Sequence, residues 1–205
     1  MNQGYKNILK KVLILIIIME GVEMKGFVIS PASRSYTCKV GLNKNCGDKS
    51  LEPYNINCTV GFPNGGAPDN AIASCNITEF KKLDDVRFWT HVPVVLNHEF
   101  KNNIDIASFD IEWKIVESYK SSSFQVFITN ELYQINKKLS RNVFDLKPLC
   151  EDIVNEWPIF TYTQKCRFNM ERIRNIIGKY TVLLAIWNVE NPNMAFYQVI
   201  DTLLF

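Results

Sequence analysis

Between residues 109 and 117 apolar and polar positions alternate. Phe109, Ile111, Trp113 and Ile115 stand against Asp110, Glu112 and Lys114. A period of two predicts a strand with one buried face. Phe124, Val126 and Ile128 resume the pattern after Ser121-Ser122-Ser123, and a turn signal between two such runs predicts a hairpin. Residues 181–189 form a β-rich apolar run around Trp187, Asn191-Pro192-Asn193 breaks it, and strand character returns from 195 to 205. Residues 131–140 and 145–155 are expected to hold short helical turns. Residues 41–80 are rich in Gly, Asn, Pro and Cys and lack periodicity, which predicts a long cross-linked loop region. Strands separated by turns, with few helical stretches, predict an all-β fold: an antiparallel β-sandwich of immunoglobulin or fibronectin III type.

The N-terminus follows a different rule. Lys6, Lys10 and Lys11 precede the apolar run 12–19, the order of a secretory signal peptide. The run is too short for a membrane-spanning helix, which needs about 20 residues. Residues 1–24 are therefore expected to be a signal peptide cut between 21 and 24, with one secreted domain over 25–205. Export makes the cysteines readable. Cys38, Cys46, Cys58, Cys75, Cys150 and Cys166 are even in number and face an oxidising environment, so structural bridges are expected, their pairing left open. No Cys-x-x-Cys pair and no clustered His suggest a zinc site. Asn57-Cys58-Thr59 and Asn76-Ile77-Thr78 are glycosylation sequons.

Composition narrows the function. The 205 residues carry 23 Lys+Arg against 21 Asp+Glu, a formal charge of +2, which gives no case for nucleic acid. There is no Gly-x-Ser-x-Gly elbow, phosphate loop or His-Glu-x-x-His. The two histidines, His91 and His98, do not cluster. The adjacent carboxylates Asp84-Asp85 and Glu151-Asp152 read as solvated surface.

A series of short motifs, in order, is similar to one family. Gly26-Phe27-Val28-Ile29-Ser30-Pro31-Ala32-Ser33-Arg34 opens it. Asn45-Cys46-Gly47, Leu51-Glu52-Pro53, Gly61-Phe62-Pro63, Trp113-Lys114-Ile115, Phe144 to Cys150, Ala185-Ile186-Trp187 and Ala195 to Asp201 follow. The chain resembles the chitin-binding type-4 domains, the bacterial-type lytic polysaccharide monooxygenases of auxiliary activity family ten. The resemblance implies the sandwich with a loop region elaborated after the first strand. It also implies disulfides Cys38–Cys46 and Cys150–Cys166. Cys58 and Cys75 are additional to the family pattern and flank the Gly-rich loop, so they are expected to pair with each other.

The family's copper is held by the amine and imidazole of a first mature His and by a second His. Here the residue before Gly26 is Lys25, and the second position, six residues after Trp113, is Tyr119. Phe196 keeps the aromatic beside the copper. Glu117 replaces an Ala near the second His, and Asn57 stands for a loop Glu. An ammonium and a phenol do not replace imidazoles as copper ligands. No cofactor is expected, although copper is the family's. The substrate-contacting positions become Leu51, Glu52, Pro53, Tyr119, Asn191 and Met194. The expected protein is a secreted monomer binding chitin or a related insoluble polysaccharide, without copper, nucleic acid or a membrane span. The alternatives are an active copper monooxygenase with an atypical site, or an adhesin-type interaction protein.

Overall fold

The computed structural model describes residues 25–190 and 194–205. The expected signal peptide and Asn191 lie outside the described residues. The strands are β1 Lys25–Ser30, β2 Asn57–Thr59, β3 Val92–Val94, β4 Asn97–Lys101, β5 Ile104–Glu117, β6 Ser121–Ile128, β7 Cys150–Ile153, β8 Thr161–Asn169, β9 Tyr180–Val189 and β10 Met194–Leu204. One α-helix, α1 Arg34–Lys39, follows β1.

Two sheets face each other. In the first, β5 has β8 on one edge and β1 and β4 end to end on the other. The second runs β7-β6-β9-β10, with β2 and β3 sharing the last edge of β10. The sandwich is antiparallel except that β3 pairs parallel with β10.

The alternation along β5 does what its pattern predicts. Phe109, Ile111, Trp113 and Ile115 enter the core between the sheets, where they meet Phe124, Val126, Trp187 and Phe196. The unbroken run in β9 has a separate cause. Leu183, Ala185 and Trp187 face the inter-sheet core, while Val182, Leu184 and Ile186 face a second core on the outer side. A strand covered on both faces has no solvent side on which to place polar residues. Loop residues Ile56, Phe62, Ile72, Phe80 and Trp89 provide that outer cover. Phe62 sets its ring edge-on to Phe127 at 4.8 Å and Phe144 at 5.8 Å.

Three disulfides form, Cys38–Cys46, Cys58–Cys75 and Cys150–Cys166. The last joins β7 to β8 and so ties an edge of one sheet to the other. Ser33 caps α1 by accepting from the Tyr36 N–H. Within α1, Arg34 is buried and grips Asp201 of β10 with two hydrogen bonds of 2.9 and 2.6 Å.

Four expectations need correction. β5 and β6 do not form a hairpin. Both edges of β5 are taken by other strands, and β6 pairs with β7 and β9 in the opposite sheet, so 117–121 is a crossover between layers. Residues 145–155 contain strand β7 rather than helical turns, because Cys150–Ile153 completes the edge of β6. Within 131–140 there are turns but no helix; a 3-10 turn comes just after, at Arg141–Val143. Asp84 is not a solvated carboxylate. It is 7% exposed and accepts the Ala73 N–H at 2.9 Å.

Candidate functional site at one end of the sandwich

Several chain segments meet at one end of the molecule. β1 begins there, with Lys25 opposite Glu117 at the end of β5. The crossover then carries Tyr119 towards β6. Tyr119 is half-buried against the inter-sheet core. Burial pushes its phenol above the usual range, the Glu117 carboxylate adds to this, and the Lys25 ammonium pulls the other way. The three side chains thus share one electrostatic neighbourhood. The next residue, Lys120, pairs with Glu190 at 2.8 Å and fastens the crossover to the chain leaving β9.

Phe196 lies beneath. It stands opposite Trp187 across β10 and β9, and the two rings stack with centroids 4.8 Å apart. Phe196 is fully buried, so it floors the site rather than lining its surface. Gly26 makes this possible. A Cβ there would sit 2.5 Å from Trp187 Cζ3, so only glycine lets β1 lie against the indole.

The loop residues come in from the β1 side. A 3-10 turn, Pro53–Asn55, packs on β1. The Tyr54 ring takes the Lys25 ammonium at 5.5 Å and the Lys39 ammonium at 5.4 Å from its centroid, within cation–π reach. Lys39 also donates to the Leu51 carbonyl at 3.0 Å, while the Leu51 side chain is exposed. Glu52 pairs with Lys49 at 3.0 Å and accepts from Asn55 Nδ2 at 2.8 Å. Pro53 is buried, and its carbonyl accepts from Gln198 at 3.3 Å. On the β10 side, Met194 and Asn57 line a cleft of about 440 Å³ beside the Cys58–Cys75 bridge.

The structure therefore gathers Lys25, Tyr119, Phe196, Leu51, Glu52, Pro53 and Met194 at one end. Pro53 and Phe196 act as buried supports. Tyr54 and Lys39 belong to the same patch, although no motif in the sequence points to them. Tyr54 sits next to the Leu51-Glu52-Pro53 motif, and nothing in the spacing marks its ring as a seat for two lysines.

The histidines lie elsewhere. His98 stands opposite Ala107, ten residues along β5 from Glu117, a separation of about 33 Å at the usual rise per residue. It meets Asp105 at 3.0 Å. His91 packs edge-on to Phe88 and Tyr180, next to β3.

The donor set does not suit copper. A type of site that calls for neutral imidazoles in a tetragonal array meets an ammonium and a phenol held in its protonated form. Among the described residues, no three His, Cys, Asp or Glu side chains come together in a way that would hold a metal ion.

Residues 26–202 match the family model described as "Lytic polysaccharide mono-oxygenase, cellulose-degrading". The chain belongs to this family. A GlcNAc-binding protein A from Shewanella oneidensis is 32% identical over 179 residues, covering 86% of this chain and 34% of that protein. A GlcNAc-binding protein A from Photobacterium profundum is 30% identical, covering 92% and 38%. The chain thus spans about a third of the length of these relatives. Among solved structures, an AA10 lytic polysaccharide monooxygenase from Photorhabdus luminescens superposes with TM-score 0.74 at 30% identity, covering 87% of this chain and 98% of that one. The catalytic domain of a lytic polysaccharide monooxygenase from Listeria monocytogenes gives 0.74 at 28% identity, covering 88% and 99%. The monooxygenase-family sandwich is the one described above.

Proposed function

We propose that this chain is an exported module that binds chitin, or a closely related N-acetylglucosamine polymer, through the end of the sandwich that carries Lys25 and Tyr119. It does so without copper and without oxidative cleavage. One arrangement supports the copper-free reading: where the resemblance puts the family's two imidazoles, this chain has the ammonium of Lys25 and the phenol of Tyr119, within electrostatic reach of each other. Lys25 brings a positive charge to the family's metal position and sets it over the Tyr54 ring. The polysaccharide reading is supported by family membership and by the names of the relatives, which specify GlcNAc. The family description names cellulose instead, so both polymers belong in the test.

The experiment is depletion of the purified domain by β-chitin and by cellulose, with and without chelator, followed by product analysis with copper and a reductant. Depletion by chitin that ignores chelator, with no oxidised oligosaccharides, is expected. Release of oxidised products would restore the enzyme reading. Failure to bind either polymer would turn attention to a protein or glycoprotein partner.

A further inference from the structure

We propose that the connection between β7 and β8, residues 154–160, forms part of the polysaccharide contact surface, with Trp157 as its stacking platform and Phe160 as a second apolar contact. This rests on the binding reading above and names the residues that carry it.

The connection lies at the same end of the molecule as Tyr119. The Ser121 N–H donates to the Glu156 carbonyl at 2.9 Å, and the Val154 N–H donates to Ser122 at 3.1 Å. The Ile115 N–H donates to the Phe160 carbonyl at 2.8 Å. Lys25 borders β5 on one edge and Phe160 leads into β8 on the other. The connection therefore flanks the crossover on the side away from Leu51.

What the connection displays is unusual. Trp157 is 62% exposed, Ile159 62% and Phe160 73%, whereas Trp89, Trp113 and Trp187 are each 2% exposed or less. A contiguous cluster of exposed large apolar side chains marks a contact surface. The backbone holds the cluster in place. Pro158 fixes its own φ immediately after Trp157. The Thr161 N–H bonds back to the Ile159 carbonyl at 2.6 Å, a tight turn that sets Phe160 at φ 60°. A bulky non-glycine residue rarely adopts that region. The Cys150–Cys166 bridge closes the connection at its base. A platform already ordered loses little freedom when it binds.

The chemistry points to a neutral sugar chain. Residues 154–161 carry one charged side chain, Glu156, so an anionic polymer finds no cation there. Pyranose rings present C–H faces that stack on aromatic rings while their hydroxyls stay at the wet rim. Leu51 removes an aromatic from one flank of the face, and Trp157 supplies one on the other.

The test uses Trp157 as its own reporter, since the other three tryptophans are buried. Iodide quenching of the intact domain is read with and without β-chitin nanocrystals, alongside depletion by the same chitin. Bound protein is expected to lose most of its iodide-quenchable emission, and Trp157→Ala to weaken depletion by about tenfold, the scale of one interface anchor. Phe160→Gly separates binding from folding: glycine accepts φ 60° without strain, so the melting temperature should hold or rise while depletion falls. Wild-type depletion with Trp157 still quenched, or with Trp157→Ala binding as wild type, leaves chitin binding intact and overturns the assignment of this surface. No depletion of the wild type rejects the binding reading and this inference with it. Protection of Trp157 that grows with protein concentration and needs no chitin would mean that a second copy covers the surface, and would also overturn the proposal.

Discussion

At Gly26 one hydrogen atom separates a well-packed site from an overfilled one. The missing Cβ would stand 2.5 Å from Trp187 Cζ3 and 2.9 Å from Cε3. The indole has nowhere to go. Its Nε1 donates to Ser121 Oγ at 2.7 Å, and its rings stack on Phe196 at 4.8 Å and Phe124 at 5.7 Å. Gly26→Ala is expected to cost about 1–3 kcal/mol, the usual range for overpacking, read as a lower urea midpoint at unchanged m-value. Asp201 tests the opposite kind of defect. It takes both forks of the buried Arg34 and also accepts the Tyr180 hydroxyl at 2.6 Å. Asp201→Ala leaves a guanidinium without its counter-charge, for which about 3–5 kcal/mol of lost stability is expected by denaturant melting. These two sites also show what a sequence reveals at this scale. Gly26 and Arg34 were visible as letters of a motif, but their physical roles were not, because burial and partner are properties of the fold. Asp84 shows the same limit, a carboxylate read as solvated that lies inside the loop core.

Elements were more legible than their partners. The alternation around Trp113 marked a strand and its buried face correctly, since side-chain period is a local property. It does not say which sheet the strand joins, so 109–117 and 124–128 read as a hairpin around Ser121-Ser122-Ser123, although those serines are strand residues of β6 and the two strands belong to opposite layers. β7 escaped notice because four residues at a sheet edge are too few to show a period. The loop region was legible as a stapled loop, and its extra staple can be tested directly. Cys58–Cys75 closes a separation of 17 residues beneath β2, which supplies an edge to β10 beside Phe196. Replacing both cysteines by Ala should cost about 3 kcal/mol on the chain-entropy account. The expected readout is a lower melting temperature, with the cleft beside Met194 opening to proteolysis before the sandwich does. Equal thermal stability of the double variant would show that the outer core holds this loop without the bridge.

Over the whole molecule the candidate face and the buried ion network occupy opposite ends. β9 runs from Tyr180, bonded to Asp201, to Val189 beside the crossover, about 30 Å along an extended strand. Changes at the two ends should therefore be close to additive, with Asp201→Ala lowering stability while the binding of the folded fraction stays as it was. The far end also sets the response to alkali. Burial first, then the Asp201 carboxylate, holds the Tyr180 phenol well above its ordinary range. Tyr133 is pushed up to about 12, chiefly by burial, with Arg34 pulling it down. Tyr197, buried beneath the loop core, is also pushed up to about 12. In each case the folded protein favours the neutral phenol and the unfolded chain ionises first, near the usual value of about 10. Stability from these groups is complete below that pH. It is lost as pH climbs from about 10 through the raised folded values, because there the unfolded state releases protons that the folded state keeps. Melting temperature should stay flat from neutral pH to about 10 and then fall steeply. The tyrosinate absorbance of Tyr133, Tyr180 and Tyr197 should rise in step with unfolding rather than ahead of it, because the fold has buried these phenols. Ionisation of Tyr133, Tyr180 and Tyr197 near pH 10 in a protein that still melts cooperatively would contradict this, and would place their rings in contact with solvent.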